Sequence, residues 1–211
     1  MQQTKRATSV MRFVLFGAVG FGIGGAIAGG FVVNPFTPSL LALLLFLLGL
    51  LVIGTLGGAS LGLATRDRKK VVVLARWGAA GFGLGFLVAV IGLVCALLVG
   101  GPYRHWPASY YTDYGLLGAI TGAVGGAALG VALRNKKGTL ALALAGFLGF
   151  GIGDMLGLPG IVEILQGLLT GERPNPGLFA ITEAIGGASL GAALGYLESH
   201  KLAQERGPRV R

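Results

Sequence analysis

The chain has 211 residues, of which 54% are hydrophobic and 12% charged, and 40 are glycine. A soluble domain carries about 25% charged residues, so a water-soluble globule is excluded in favour of a polytopic membrane protein. The net charge of +9 suggests nucleic acid only in a soluble protein; here the placement of the basic residues accounts for it, and no nucleic-acid partner is expected. The single cysteine, Cys95, lies in an apolar run and excludes an intrachain disulfide and a cysteine metal cluster.

Met1 to Arg12 is a short polar start with Lys5, Arg6 and Arg12, and Phe13 to Val33 is the first apolar run. The basic start, the apolar core and Ala26-Ile27-Ala28 together fit a signal peptide. Against this, the run contains Gly17-Ala-Val-Gly-Phe-Gly-Ile-Gly24, which recurs as Gly78-Ala-Ala-Gly-Phe-Gly-Leu-Gly85 and Gly146-Phe-Leu-Gly-Phe-Gly-Ile-Gly153. A cleaved leader has no reason to be one copy of an internal repeat, so a retained first span is expected.

Asn34 to Ser39 is a turn marked by two prolines, and Leu40 to Ala64 is the second span. Arg66, Arg68, Lys69, Lys70 and Arg76 form a basic connection before the third span, Trp77 to Val99. Gly100 to Tyr114 is a loop rich in Tyr and Trp. The fourth span, Gly115 to Leu133, ends at Arg134, Lys136 and Lys137. Thr139 to Leu158 is the fifth. Pro159 to Pro176 is the longest loop, with an amphipathic stretch at Ile161 to Leu169. Gly177 to Leu197 is the sixth span, before a tail with Lys201, Arg206, Arg209 and Arg211. About 20 residues cross a hydrocarbon core, which each run supplies. Fifteen basic residues fall on the side of the termini, and only Arg104 and Arg173 on the other. That split places both termini in the cytoplasm, in a cell membrane, with Tyr103, Trp106, Tyr110, Tyr111 and Tyr114 as an outer aromatic belt.

Each even span carries a second string: Gly57-Gly-Ala-Ser-Leu-Gly62, Gly125-Gly-Ala-Ala-Leu-Gly130 and Gly186-Gly-Ala-Ser-Leu-Gly191. The expected fold is therefore all-α: six transmembrane helices as three tandem two-helix, glycine-rich hairpins. With two spans per unit the units point the same way, so a pseudo-threefold axis along the membrane normal is expected. The chain is one transmembrane domain over 1–211, with units at about 12–70, 71–138 and 139–201 and basic tails at 1–11 and 202–211. Glycines four residues apart, Gly54/Gly58/Gly62, Gly118/Gly122/Gly126/Gly130 and Gly187/Gly191/Gly195, make bare helix faces that suit close packing in lipid. That packing serves either the bundle itself or a second copy or other membrane subunits.

Mitochondrial-type carriers are similar in having three tandem two-helix units, but their charged signature after a proline in each odd helix is absent here. The string Phe179-Ala-Ile-Thr-Glu-Ala184 resembles the carboxylate-bearing string of rotor-ring proteolipids. There the loop within each hairpin faces the cytoplasm, whereas charge turns these loops outward, so a rotor role is not carried over.

Of eight acids, Asp154 and Glu183 fall inside spans, the fifth and sixth. A mid-bilayer charge costs at least about 2.5 kcal/mol, so such residues are functional candidates. Counted from the span ends, Asp154 lies roughly 6 Å and Glu183 roughly 9 Å deep at about 1.5 Å per residue, so their carboxyls are expected at similar depth. By the repeat strings, Glu183 takes the place of Gly54 and Gly122, and Asp154 that of Gly25 and Phe86. Neighbouring like charges in a low dielectric repel, so the pair is expected to share a proton or hold a cation. The alternative is hydration near the interface, or bonding to Thr182 and backbone. Gly20-Phe-Gly-Ile-Gly-Gly25 fits GxGxxG but lies in a span, not after a strand, and reads as packing glycine. His105 reads as a loop histidine. No cofactor, metal or catalytic set is expected, and the chain is not read as an enzyme. Two functions follow: permeation or transport of a small solute or cation, using Asp154, Glu183 and Thr182, or an accessory subunit of a membrane complex.

Overall fold

The computed structural model describes residues 2–31, 40–100, 107–156 and 176–205. All fall in six helices and the short turns between them: α1 Gln2–Phe31, α2 Leu40–Ala64, α3 Arg68–Gly100, α4 Pro107–Ala132, α5 Lys136–Leu156 and α6 Pro176–Glu205. Five contain stretches long and apolar enough to cross a membrane: Ala7–Gly29, Leu44–Ala64, Arg68–Gly92, Gly115–Ala132 and Lys136–Met155. The described residues of the sixth helix add no further such stretch. The turn at 34–39, the amphipathic stretch at 161–169, His105, Tyr103 and Trp106 lie outside the described residues.

Several helices outrun the spans read from hydropathy. The basic segment after Arg66 is helical from Arg68, and Pro107 to Tyr114 belongs to α4. Hydropathy measures the apolar slab, while a helix continues beyond it until a cap ends it. Asp67 and Asn135 are those caps: Asp67 Oδ1 accepts from the Lys69 amide at 2.9 Å, and Asn135 Oδ1 from the Gly138 amide at 3.0 Å. Before each cap one residue takes the left-handed conformation, Arg66 at φ 61° and Arg134 at φ 53°. The Arg66 amide donates to Leu63 O at 3.0 Å and the Arg134 amide to Val131 O at 2.9 Å, so each preceding helix ends there. These minimal turns fix how α2 meets α3 and how α4 meets α5. Asn135→Ala is expected to destabilise the fold by about 1 kcal/mol, read as the denaturant midpoint in mixed micelles.

Each helix packs against its two neighbours in sequence, and α6 packs against α1, so the six form a closed ring. Glycine makes the contacts close. Across α2 and α3, Gly54 abuts Gly78, Gly58 abuts Leu74 and Gly62 abuts Val71. Across α4 and α5, Gly122 abuts Gly146, Gly126 abuts Leu142 and Gly130 abuts Thr139. Along the antiparallel α1–α6 seam, Gly187 abuts Gly17, Gly191 abuts Phe13 and Gly195 abuts Val10. In most of these contacts a Cβ on the glycine would overlap a backbone carbonyl or α-carbon, so the close approach requires glycine.

Alternate helices fill the centre. Phe21, Phe82 and Phe150, from α1, α3 and α5, touch one another with ring centroids 5.0–5.4 Å apart, two of the three contacts edge-on. Three side chains from alternate members of a six-membered ring can meet only at its middle. Each ring lies in a notch left by glycine on the hairpin partner: Gly57, Gly125 and Gly186. Toward the end that carries the termini, Phe13, Leu61, Leu74, Leu129, Leu142 and Leu190 continue the buried core. Large aliphatic side chains such as Leu15, Leu84, Ile91, Leu140 and Ile181 point outward and are more than half exposed. Small residues at the close contacts, Phe and Leu in the centre and further aliphatics outside is an arrangement that a lipid solvent allows.

Candidate functional site

Asp154 sits on the last turns of α5, four residues beyond Phe150 toward the end opposite the termini. It is partly exposed, and its carboxyl occupies the space where a side chain on Gly118 of α4 would be. Glu183, on α6, is only 7% exposed. Its Cγ and Cβ lie 2.7 and 2.9 Å from where a Cβ on Gly25 of α1 would stand. Each acid thus fits because the neighbouring helix offers glycine. Glu183 Oε2 is buried and has no hydrogen-bond partner. Among the described residues, neither acid is paired with a basic side chain.

Thr182 is buried, but it faces α5, where its backbone lies against Gly153. Its hydroxyl donates within its own helix to Phe179 O at 3.1 Å. The structure therefore sets Thr182 on the α5 side of α6 and Glu183 on the α1 side. Gly54, Gly58, Gly62, Gly118, Gly122, Gly126, Gly130, Gly187, Gly191 and Gly195 all abut another helix of the same chain.

The seam explains why an acid is tolerated at position 183. By the shared string, Gly187 aligns with Gly58 and Gly126, yet it makes the contact with Gly17 that Gly54 makes with Gly78 and Gly122 with Gly146. The α1–α6 seam is offset by four residues, one helical turn or about 6 Å. The first two junctions are pinned by the short turns at Arg66 and Arg134; the seam has no turn and is free to slide. The offset lifts Glu183 clear of the tight glycine contact and sets it opposite Gly25.

The central Phe cluster was not legible as a site residue set. Its signal is the Phe at the same place in all three GxxGFG strings: Phe21, Phe82 and Phe150. The acids stand one turn from this cluster. At the opposite end Lys70 of α3 pairs with Glu198 of α6 at 3.2 Å; both are partly exposed, and such a pair contributes under about 1 kcal/mol. Arg12 lies over the Phe13 ring there, with a buried Nε that has no partner. Cys95 is exposed, and among the described residues no three acids, histidines or cysteines gather as metal ligands. No family model, curated protein or solved structure matches the chain.

Proposed function

We propose that the chain is a six-crossing protein of a cell membrane, with both termini cytoplasmic, that moves a small cation or proton taken up at Asp154 and Glu183. In this reading it is a carrier of charge and not an enzyme. The observation that carries it is the Glu183 carboxyl: buried, with one oxygen unpartnered, in a bundle where the aligned positions are Gly54 and Gly122. An unpaired intramembrane carboxyl costs at least about 2.5 kcal/mol, which selection retains for binding or transfer. The sixth crossing is supported by α6 lying antiparallel to α1 from Gly195 to Phe179.

The three hairpins are read as pseudo-symmetric units. Phe21, Phe82 and Phe150 then mark the axis, and the one-turn seam offset means that each unit stands about 2 Å along that axis from the one before. The Phe cluster is the barrier on the axis, and the acids lie on its outer side. Purified protein in lipid vesicles is expected to carry proton or alkali-cation flux that falls at least about tenfold in Glu183→Gln combined with Asp154→Asn. Unchanged flux in the double variant sinks the reading.

A second reading, an accessory subunit of a membrane complex, is favoured by the Phe and Leu side chains that fill the centre. It predicts no intrinsic flux and co-purification with a larger assembly in mild detergent.

A further inference from the structure

We propose that Lys70 and Glu198 form a strap across the end of the bundle that carries the termini, and that releasing it lets the ends of α3 and α6 part. This goes beyond the reading above and rests neither on flux nor on Asp154 and Glu183. The observation that carries it is where the pair sits in the ring. Lys70 Nζ donates to Glu198 Oε1 at 3.2 Å. Helices α3 and α6 are opposite members of the six-membered ring, with two helices between them on either side. No turn joins them and they are not ring neighbours, so the pair lies across the middle. The register agrees. Lys70 precedes the buried Leu74 by four residues and Glu198 follows the buried Leu194 by four, so each shares a helix face with a core residue. α3 runs away from this end and α6 toward it, so each charge stands one turn, about 6 Å, nearer the end than its leucine. The strap therefore lies over the apolar core.

The pair has no counterpart in the other two hairpins, and the sequence gives the reason. By the repeat strings Lys70 aligns with Ser9 and Gly138, and Glu198 with Lys69 and Lys137. α2 and α4 stop at Ala64 and Ala132, so Lys69 and Lys137 have already turned into the next helix. α6 alone runs on, to Glu205, and at the aligned position it carries the opposite charge. Of the three diameters of the ring, only α3–α6 can therefore be bridged in this way. Beyond Gly195, the last glycine of the α1–α6 seam to meet α1, Glu198 makes the next bond from α6 to another helix among the described residues. Ser199, beside it, donates within α6 to Tyr196 O at 2.8 Å. The strength of the strap follows from its surroundings. Both side chains are partly exposed, so the pair shifts the ratio of closed to open by no more than about fivefold. A strap of that strength is one that salt or a competing charge releases.

The test uses the full chain in lipid nanodiscs, with Cys95→Ser so that introduced thiols are alone. Spin labels are placed at Lys69→Cys on α3 and His200→Cys on α6, both exposed and outside the pair. Pulsed electron resonance then reads the distribution of distances between them. The expected result is that Lys70→Ala raises the ratio of long to short distances about threefold to fivefold. Lys70→Glu, which sets two acids against each other, should raise it further, and Lys70→Glu combined with Glu198→Lys should return it to the parent value. In 1 M salt, where the Debye length is about 3 Å, the parent should approach Lys70→Ala, and Lys70→Ala itself should change little. If Lys70→Glu does not fold, Lys70→Ala and the salt series still decide. Distances that are the same in the parent and Lys70→Ala at low salt, or a charge swap that stays open, overturn the strap. Neither result touches Asp154 and Glu183, whose reading is decided by flux in their double variant.

Discussion

Phe82→Ala is expected to cost about 3–5 kcal/mol and to make reconstituted vesicles leaky to protons. The cost follows from the position of the ring. Phe82 is 1% exposed and touches both Phe21 and Phe150, at 5.2 and 5.0 Å between centroids. Truncating a buried Phe loses the transfer energy of the ring and leaves a cavity, and the rigid glycine notch at Gly125 limits collapse. The leak follows from geometry, because the three rings are the only side chains from α1, α3 and α5 that meet one another among the described aromatic contacts. Phe82→Leu refills most of the volume and should recover both stability and tightness. Stability is read as the denaturant midpoint in mixed micelles, and leakage as the decay of a pH gradient. A stable, tight Phe82→Ala protein would show that the barrier lies elsewhere.

How much of this was legible in the sequence follows from what hydropathy and spacing can measure. The runs at Leu40–Ala64 and around α5 were placed closely because lipid demands a long apolar stretch and the turns beside them are short. The start of α3 was read at Trp77 and lies at Arg68, because Lys and Arg are good helix formers that end the apolar slab without ending the helix. Glu183 and Asp154 stood out because charge is conspicuous in a span. Gly118 was legible as a packing glycine but not as the notch that admits Asp154, and Gly25, the notch for Glu183, was hidden among forty glycines of similar context. The Phe cluster was hidden for a related reason. In a membrane protein both faces of a helix are apolar, so no periodicity marks Phe21 as inward and Leu15 as outward. The seam offset was illegible, since string alignment places Gly187 beside Gly58, while ring closure without a turn puts it where Gly54 would stand.

That offset makes an asymmetric prediction about one residue type at aligned positions. Gly122→Glu is expected to destabilise the protein by about 4 kcal/mol or more, whereas Glu183→Gly is expected to cost little or to stabilise. At Gly122 a side chain would meet the Gly146 backbone and the Phe150 ring, so the glutamate must first force α4 and α5 apart. Overpacking alone costs about 1–3 kcal/mol, and the buried, unpaired carboxylate adds several more. Glu183 meets neither obstacle at its stem, because the four-residue shift has set it opposite Gly25. Removing it frees an oxygen that has no partner in the folded state, and this offsets the lost packing of two methylenes. Gly25→Ala should then behave like Gly122→Glu in miniature, since the new methyl competes with the Glu183 stem, and Glu183→Gly should rescue it. The full cycle, measured as unfolding midpoints in mixed micelles, should show coupling between 25 and 183. Additive effects would mean that Gly25 and Glu183 do not share the seam as the contacts require.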